Sequence, residues 1–244
     1  IVESADAIYQ FNDEMSMAGQ EQKDKMSIIE SGIEGIAEAV DTNAAISEET
    51  SASCDLLNEN AEKTVAVLNL GSPKNIPQLL CDKGYKVVMM PYNSKADDIL
   101  SLGADGLVVS EGAGDPCELK DVAAEIASLF GKVPMFGAGL GHQIMAMAKG
   151  ADIIKLPFGH HGGNLPAKAV GTARTLITSQ NHNYAVCPDS VKCGEVSYLN
   201  LNDNTVEGID YKNEGAFSVQ FEPTEDFITE KFIKVMEEFN NAAE

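Results

Sequence analysis

Hydrophobic positions recur every seven residues as far as Leu57, and after Lys63 they fall instead into short apolar runs separated by helix-like stretches. In the first part Ile1, Ile8, Met15, Gln22, Ile29, Ile36, Asn43, Thr50 and Leu57 share one heptad position. Ala5, Met26, Ile33, Val40 and Cys54 lie four places after members of that series, and Phe11, Ala18, Ala39 and Ile46 fill a flank. Residues 1–62 hold no proline and three glycines. The pattern predicts a long amphipathic helix of coiled-coil type over 1–62. At about 1.5 Å per residue it would extend roughly 90 Å. Such a stripe cannot cover itself, so a helical partner is expected, a second copy or another helix.

After Lys63 the runs predict strands at Val65–Leu70, Lys86–Pro91, Gly106–Ser110 and Val133–Phe136. Helices are predicted at Asn75–Cys81, Ala96–Leu100, Leu119–Phe130 and Gly141–Lys149. This alternation implies an α/β domain over 63–244, an open and mostly parallel sheet flanked by helices. Further strands are predicted at Ile153–Leu156, Ala173–Ser179, Glu195–Leu201, Thr205–Tyr211 and Ala216–Phe221, with a closing helix Glu225–Phe239.

Charge sharpens the division. The formal net charge is −21, which argues against nucleic acid or anionic lipid as a partner. Residues 1–63 carry 15 acidic and 3 basic side chains, so over half of that charge sits in the first quarter. No run of about 18 apolar residues exists, so no membrane span is expected. Cys54, Cys81, Cys117, Cys187 and Cys193 show no zinc spacing, and reduced cytoplasmic thiols are expected. The chain starts at Ile1 rather than Met, as an excerpt of a longer protein would.

Candidate chemistry gathers at strand ends. In "VPMFGAGLGHQIMAM", residues 133–147, glycines four apart join a strand to a helix, as in a nucleophile elbow. The central residue is Gly139, which has no side chain to present. Gly137 and Gly141 are expected to be needed for the turn itself. In an open α/β sheet, sites form beyond the carboxyl ends of the strands. "SEGAGDP" (110–116), "SQNHNYAV" (179–186) and "QFEPTED" (220–226) also follow predicted strands.

With "KLPFGHHGGNLP", "LNDNTVEGI" and "AFSVQFEP", these stretches make residues 64–239 resemble the glutaminase domain of the carbamoyl phosphate synthetase small chain. That domain is a class I glutamine amidotransferase with a flavodoxin-like fold. The resemblance implies a thiolate at the elbow that attacks the glutamine amide. It also implies a histidine after the last strand, held by a glutamate, and transfer of ammonia to a synthetase partner. Here Gly139 stands at the nucleophile position, Glu222 at the histidine position and Thr224 at the orienting glutamate, with Glu225 after it. Glycine cannot form a thioester, and Cys117 is the one cysteine near a predicted site loop. Gly112, Gly114, Leu140, Gln143 and Asn181 match glutamine-binding positions. Asn183 and Tyr184 replace a usual glycine and phenylalanine, and Glu111 and Ala113 replace asparagine and proline. These residues persist either as turns of the fold or as a glutamine site, and a side chain at 183 would crowd the ligand.

His160, His161 and His182 have no carboxylate or cysteine at ligand spacing, so they are expected to be loop residues, with no metal and no cofactor. Within 1–62, "AAISEETSAS" (44–53) resembles the signalling helix of methyl-accepting chemotaxis proteins, which implies glutamyl methylation at Glu48 or Glu49. The small chain's own amino-terminal domain, which docks on the large chain, is expected to be missing. Three readings follow. One is an inactive glutaminase-like binding or assembly module fused to a chemoreceptor-like helix. Another is a small chain serving structurally in an ammonia-using synthetase. The last is a fragmentary or artificial fusion.

Overall fold

The computed structural model describes residues 11–12, 15–23, 25–27, 29, 61–72, 75–192 and 194–243. The chain divides into two units, Ile1–Ile46 and Ser47–Glu244. In the first unit the described residues are helical, with an i,i+4 ion pair between Glu21 and Lys25 at 2.7 Å. Phe11, Met15, Met17, Met26 and Ile29 of this unit are all more than half exposed. Glu48, Glu49 and the rest of the heptad series lie outside the described residues.

The second unit is built on a nine-stranded sheet. Its strands are β1 (Thr64–Asn69), β3 (Lys86–Pro91), β4 (Gly106–Val109), β6 (Met135–Ala138), β7 (Ile153–Ala169), β8 (Thr175–Val186), β9 (Glu195–Asn200), β10 (Val206–Tyr211) and β11 (Ala216–Val219). A short ribbon of β2 (Gly71–Ser72) and β5 (Glu111–Gly112) lies apart. The sheet order is β3-β1-β4-β6-β11-β10-β8-β7-β9. The first five strands run parallel and the remaining pairings are antiparallel.

Five helices cover the parallel half: α1 (Ile76–Asp82), α2 (Ala96–Ser101), α3 (Lys120–Leu129), α4 (Leu140–Ala148) and α5 (Ile233–Ala243). A π-helical stretch, Phe227–Phe232, leads into α5. The strand period of two sorts the core into two layers. Ala66, Leu68, Leu107, Val109 and Met135 face α2, α3 and α4 through Ile99, Ile126, Leu129 and Ile144. Val65, Val67, Val108, Phe136 and Phe217 face the other way, against Leu80 of α1 and Phe232 and Met236. Helices therefore cover both faces, as the alternation of elements implied. Each fully buried large apolar side chain contributes about 1.5–3 kcal/mol to this core.

Two expectations change. The "KLPFGHHGGNLP" and "SQNHNYAV" segments are strand, parts of the long β7–β8 hairpin. His160, His161 and His182 therefore sit on strands and not in loops. Pro157, Gly159, Gly162 and Gly163 masked β7, and the pairing slips at two bulges, between Lys155 and His160 and between Gly162 and Leu165. The thiols also differ: Cys81 is disulfide-bonded, whereas Cys117 and Cys187 are free. No helix among the described residues is long and apolar enough to cross a membrane.

Candidate functional site

The carboxyl ends of the parallel strands carry the elbow and its neighbouring loops. β6 ends at Ala138, Gly139 turns the chain at φ +54°, and α4 starts at Leu140. Gly139 N–H donates to Val219 O of β11 at 2.9 Å, and Gly141 N–H donates to Ser110 O after β4 at 3.2 Å. The elbow is thereby pinned between its two neighbouring strands. The expectation for its flanking glycines needs correction. The positive φ belongs to Gly139 alone of the three. A Cβ on Gly141 would stand 2.1 Å from Val109 O, and one on Gly137 would stand 2.5 Å from Met145 Sδ. Those two glycines let backbone and side chains approach closely, and the turn itself falls to residue 139.

A Cβ at Gly139 would lie 3.1 Å from Cγ of Glu111, a buried carboxylic residue. A carboxyl side chain therefore stands under the nucleophile position, where the resemblance led to asparagine. Glu222 follows β11 by three residues and is exposed, with its N–H donating to Ser179 O of β8 at 2.9 Å. Thr224 and Glu225 are exposed as well, and Thr224 O accepts from Phe227 N–H.

The remaining candidates fall into two groups, one around Gln143, Tyr184 and the 110–116 loop and one on the other face of β8. Gln143 is buried on α4, and its Nε2 donates to Tyr184 O at 2.7 Å and Gln220 Oε1 at 2.9 Å. Tyr184 Oη donates to Asp115 Oδ2 at 2.9 Å, tying β8 to the 110–116 loop. Gly112 lies against Leu70 O, where a Cβ would approach to 2.2 Å, and against Leu140, whereas Gly114 opens to solvent at φ +125°. Asn181 and Asn183 are two apart on β8 and share a face, and both amide oxygens contact His161, at 2.7 and 3.2 Å. Asn183 Oδ1 also fills the space beside Gly159. The two asparagines are thus engaged with a ring of β7.

Cys117 sits in a short 3-10 turn, Pro116–Glu118, and is exposed. Burial of its thiol and the neighbouring Asp115 push its pKa up, the opposite of activation. His142 is buried on α4, 2.8 Å from Ser218 Oγ, and burial holds it neutral by pushing its pKa down to about 3. A cavity of about 530 Å³ lined by Asp210, Lys212, Phe217 and Lys231 lies at the start of β11, the far end of that strand from the elbow.

Sequence spacing missed one cluster. His160 of β7, His182 of β8 and Glu207 of β10 each offer a ligand atom within 4.8 Å of the other two. Glu207 is fully buried, a charged residue in an otherwise strand-like run, and spacing carries no signal of that burial.

An open sheet with helices on both faces and a glycine-lined elbow after its central strand defines an amidotransferase-type fold. Residues 66–238 match the family described as "Glutamine amidotransferase class-I", and the chain belongs to it. Among curated proteins it is 46% identical over 164 residues to the carbamoyl phosphate synthase small chain of Akkermansia muciniphila, covering 67% of this chain and 44% of that one. The corresponding protein of Methanocaldococcus jannaschii is 44% identical over 168 residues, covering 67% and 47%. The chain spans about half the length of these relatives. Among solved structures it resembles a Thermoplasma acidophilum protein described as a putative GMP synthase component, with TM-score 0.64 and 19% identity, covering 74% of this chain and 97% of the other. A glutamine amidotransferase from Thermotoga maritima gives TM-score 0.56 at 16% identity, covering 75% and 84%. These two likenesses speak to fold alone.

Proposed function

We propose that this chain is a glutaminase-like domain of the carbamoyl phosphate synthetase small-chain type that does not hydrolyse glutamine and acts as a binding or assembly module. The observation that carries the reading is Gly139 at the centre of the elbow, with Glu222 rather than an imidazole after β11. The thioester route needs a nucleophile at the first position and a proton carrier at the second. Neither residue supplies its part.

Two partners follow from the small-chain relatives and from the first unit. A synthetase large chain is the partner of the α/β domain, in which case the domain serves an ammonia-using synthetase structurally. A helical partner, self or chemoreceptor-like, covers residues 1–62, and Glu48 and Glu49 are the methylation candidates of that helix. Glutamine remains a candidate ligand through Gly112, Leu140 and Gln143, with Asn181 and Asn183 turned to His161. A cytoplasmic setting goes with such partners, and the Cys81 disulfide argues the other way.

Intact-mass analysis after acid quenching of a glutamine incubation tests the reading. The chain should carry no glutamyl adduct. A glutamyl thioester on any cysteine would overturn it.

A further inference from the structure

His160, His182 and Glu207 come from three different strands, and each turns one ligand atom toward the others. The hydrogen bonds around them set which atom. His182 Nδ1 lies 2.7 Å from Tyr184 O, a carbonyl that can only accept, so Nδ1 carries the proton and Nε2 is left with its lone pair. His160 Nε2 lies 3.0 Å from Asp203 Oδ2, which places that ring's donor on the Asp203 side and turns Nδ1 inward, 3.5 Å from Glu207 Oε1 and 3.4 Å from Asn200 Nδ2, a donor the ion would displace. Metal-binding histidines are commonly oriented in this way, one ring nitrogen on a carbonyl or carboxylate and the other on the ion.

The carboxylate fits the same picture. Glu207 is fully buried, and Asn200 Nδ2 holds its Oε1 at 2.9 Å. Its Oε2 is buried and has no hydrogen-bond partner among the described residues. An unpaired buried carboxylate oxygen is costly unless a cation meets it. A second mismatch lies beside His182. Gln180 Oε1 stands 3.0 Å from His182 Nε2, while Gln180 Nε2 donates to Thr178 Oγ1. Two lone pairs face each other there, and an ion between them would satisfy both.

We propose that His160 Nδ1, His182 Nε2 and Glu207 Oε2 form a binding site for a divalent transition-metal ion of the zinc type, with Gln180 Oε1 or a water as fourth ligand. Two imidazoles and a carboxylate suit zinc, with ligand distances of about 2.0–2.2 Å. A tetrahedral site needs ligand atoms about 3.4 Å apart at those lengths. The three therefore close inward from separations of up to 4.8 Å, a movement within the reach of side-chain torsions. On binding, His160 Nδ1 gives up to solvent any proton it shares with Glu207. The ion would join β7, β8 and β10 directly. It would also fix β8 on both sides of residue 182, where Asn181 and Asn183 lie.

The experiment is equilibrium dialysis of the full chain, stripped with a chelator, against Zn²⁺ and separately Co²⁺. We expect one ion per chain, and intense visible d–d bands of four-coordinate Co²⁺ in place of the weak bands of the hydrated ion. Glu207→Gln and His182→Gln should each weaken binding at least tenfold. Asp203→Asn, which removes the carboxylate oxygen that supports His160 and keeps an amide oxygen for Thr205, should weaken it less. The chain is strongly acidic, so equal binding in all variants would assign the ion to surface carboxylates and overturn the proposal. A stripped chain that takes up no ion would overturn it too, and would mean that the Gln180 amide turns to satisfy His182 instead. Because a buried variant can fail to fold, the cobalt spectrum of the unmodified chain is a readout that needs no variant, and weak octahedral bands there would also count against the site.

Discussion

Gly141 and Gly139 are both elbow glycines, but the structure asks different things of them. At Gly141 a methyl group would meet Val109 O at 2.1 Å, a backbone atom that cannot step aside. Gly141→Ala should therefore cost about 3 kcal/mol or more, or prevent folding. At Gly139 the demand is φ +54° and a 3.1 Å approach to the Glu111 side chain, which can shift. Gly139→Ala should cost about 1–2 kcal/mol by urea unfolding. Equal costs would contradict this assignment of roles. His142 sets a pH dependence of known sign. Its folded pKa of about 3 lies below the ordinary 6.5, so the unfolded chain takes up a proton that the folded chain refuses. Its contribution is fully present above pH 6.5 and is lost as pH falls toward 3, at about 1.4 kcal/mol per pH unit. In His142→Gln, unfolding free energy between pH 6.5 and 4 should fall less steeply by that amount. Parallel curves would show that the histidine is not held neutral by burial.

At the scale of elements, the parallel half of the sheet was legible in the chain because its strands are buried on both faces and read as apolar runs: Val65 to Leu68, Leu107 to Val109, and Met135 with Phe136. The elbow was legible for a similar reason, since only glycines fit its close approaches. The β7–β8 hairpin was legible only in part, since strands were expected at 153–156 and 173–179 but not at 157–169 or 180–186. It mixes proline, glycine and polar residues, and exposed side chains such as Phe158 and Ile177 blur its period of two. The His160–His182–Glu207 cluster was hidden too, because the β7–β8 pairing joins the two histidines and β10, next to β8 in the sheet, brings Glu207, none of it through sequence spacing. Two predictions belong here. Tyr184→Phe removes the bond that ties β8 to the 110–116 loop. It should leave global stability within about 1 kcal/mol, while amide exchange across 111–118 speeds up. Unchanged exchange there would mean that the loop is held by its other contacts. Phe136, packed 4.8 Å from Phe217 and 5.8 Å from Phe232, should cost about 3–5 kcal/mol when replaced by alanine.

At the scale of the whole molecule, the first unit bears exposed apolar side chains at Phe11, Met15, Met26 and Ile29, and much of the negative charge. Association through this unit should therefore strengthen as salt screens the repulsion. Sedimentation at tens of micromolar in moderate salt should detect it, and a strict monomer would remove the coiled-coil reading. Whether the α/β unit hydrolyses glutamine is decided by glutamate release from glutamine. The unmodified chain should not exceed the buffer rate. Gly139→Cys alone should stay near that rate, because a thiol with a pKa near 8.5 would sit above the Glu111 carboxylic group with no imidazole to take its proton. Glu222→His alone should do the same, since the nucleophile is still missing. Only Gly139→Cys with Glu222→His, helped by Thr224→Glu and Asn183→Gly, should release glutamate, because such groups act as a unit. Release by the unmodified chain above the buffer rate would contradict the account and point to a nucleophile other than residue 139.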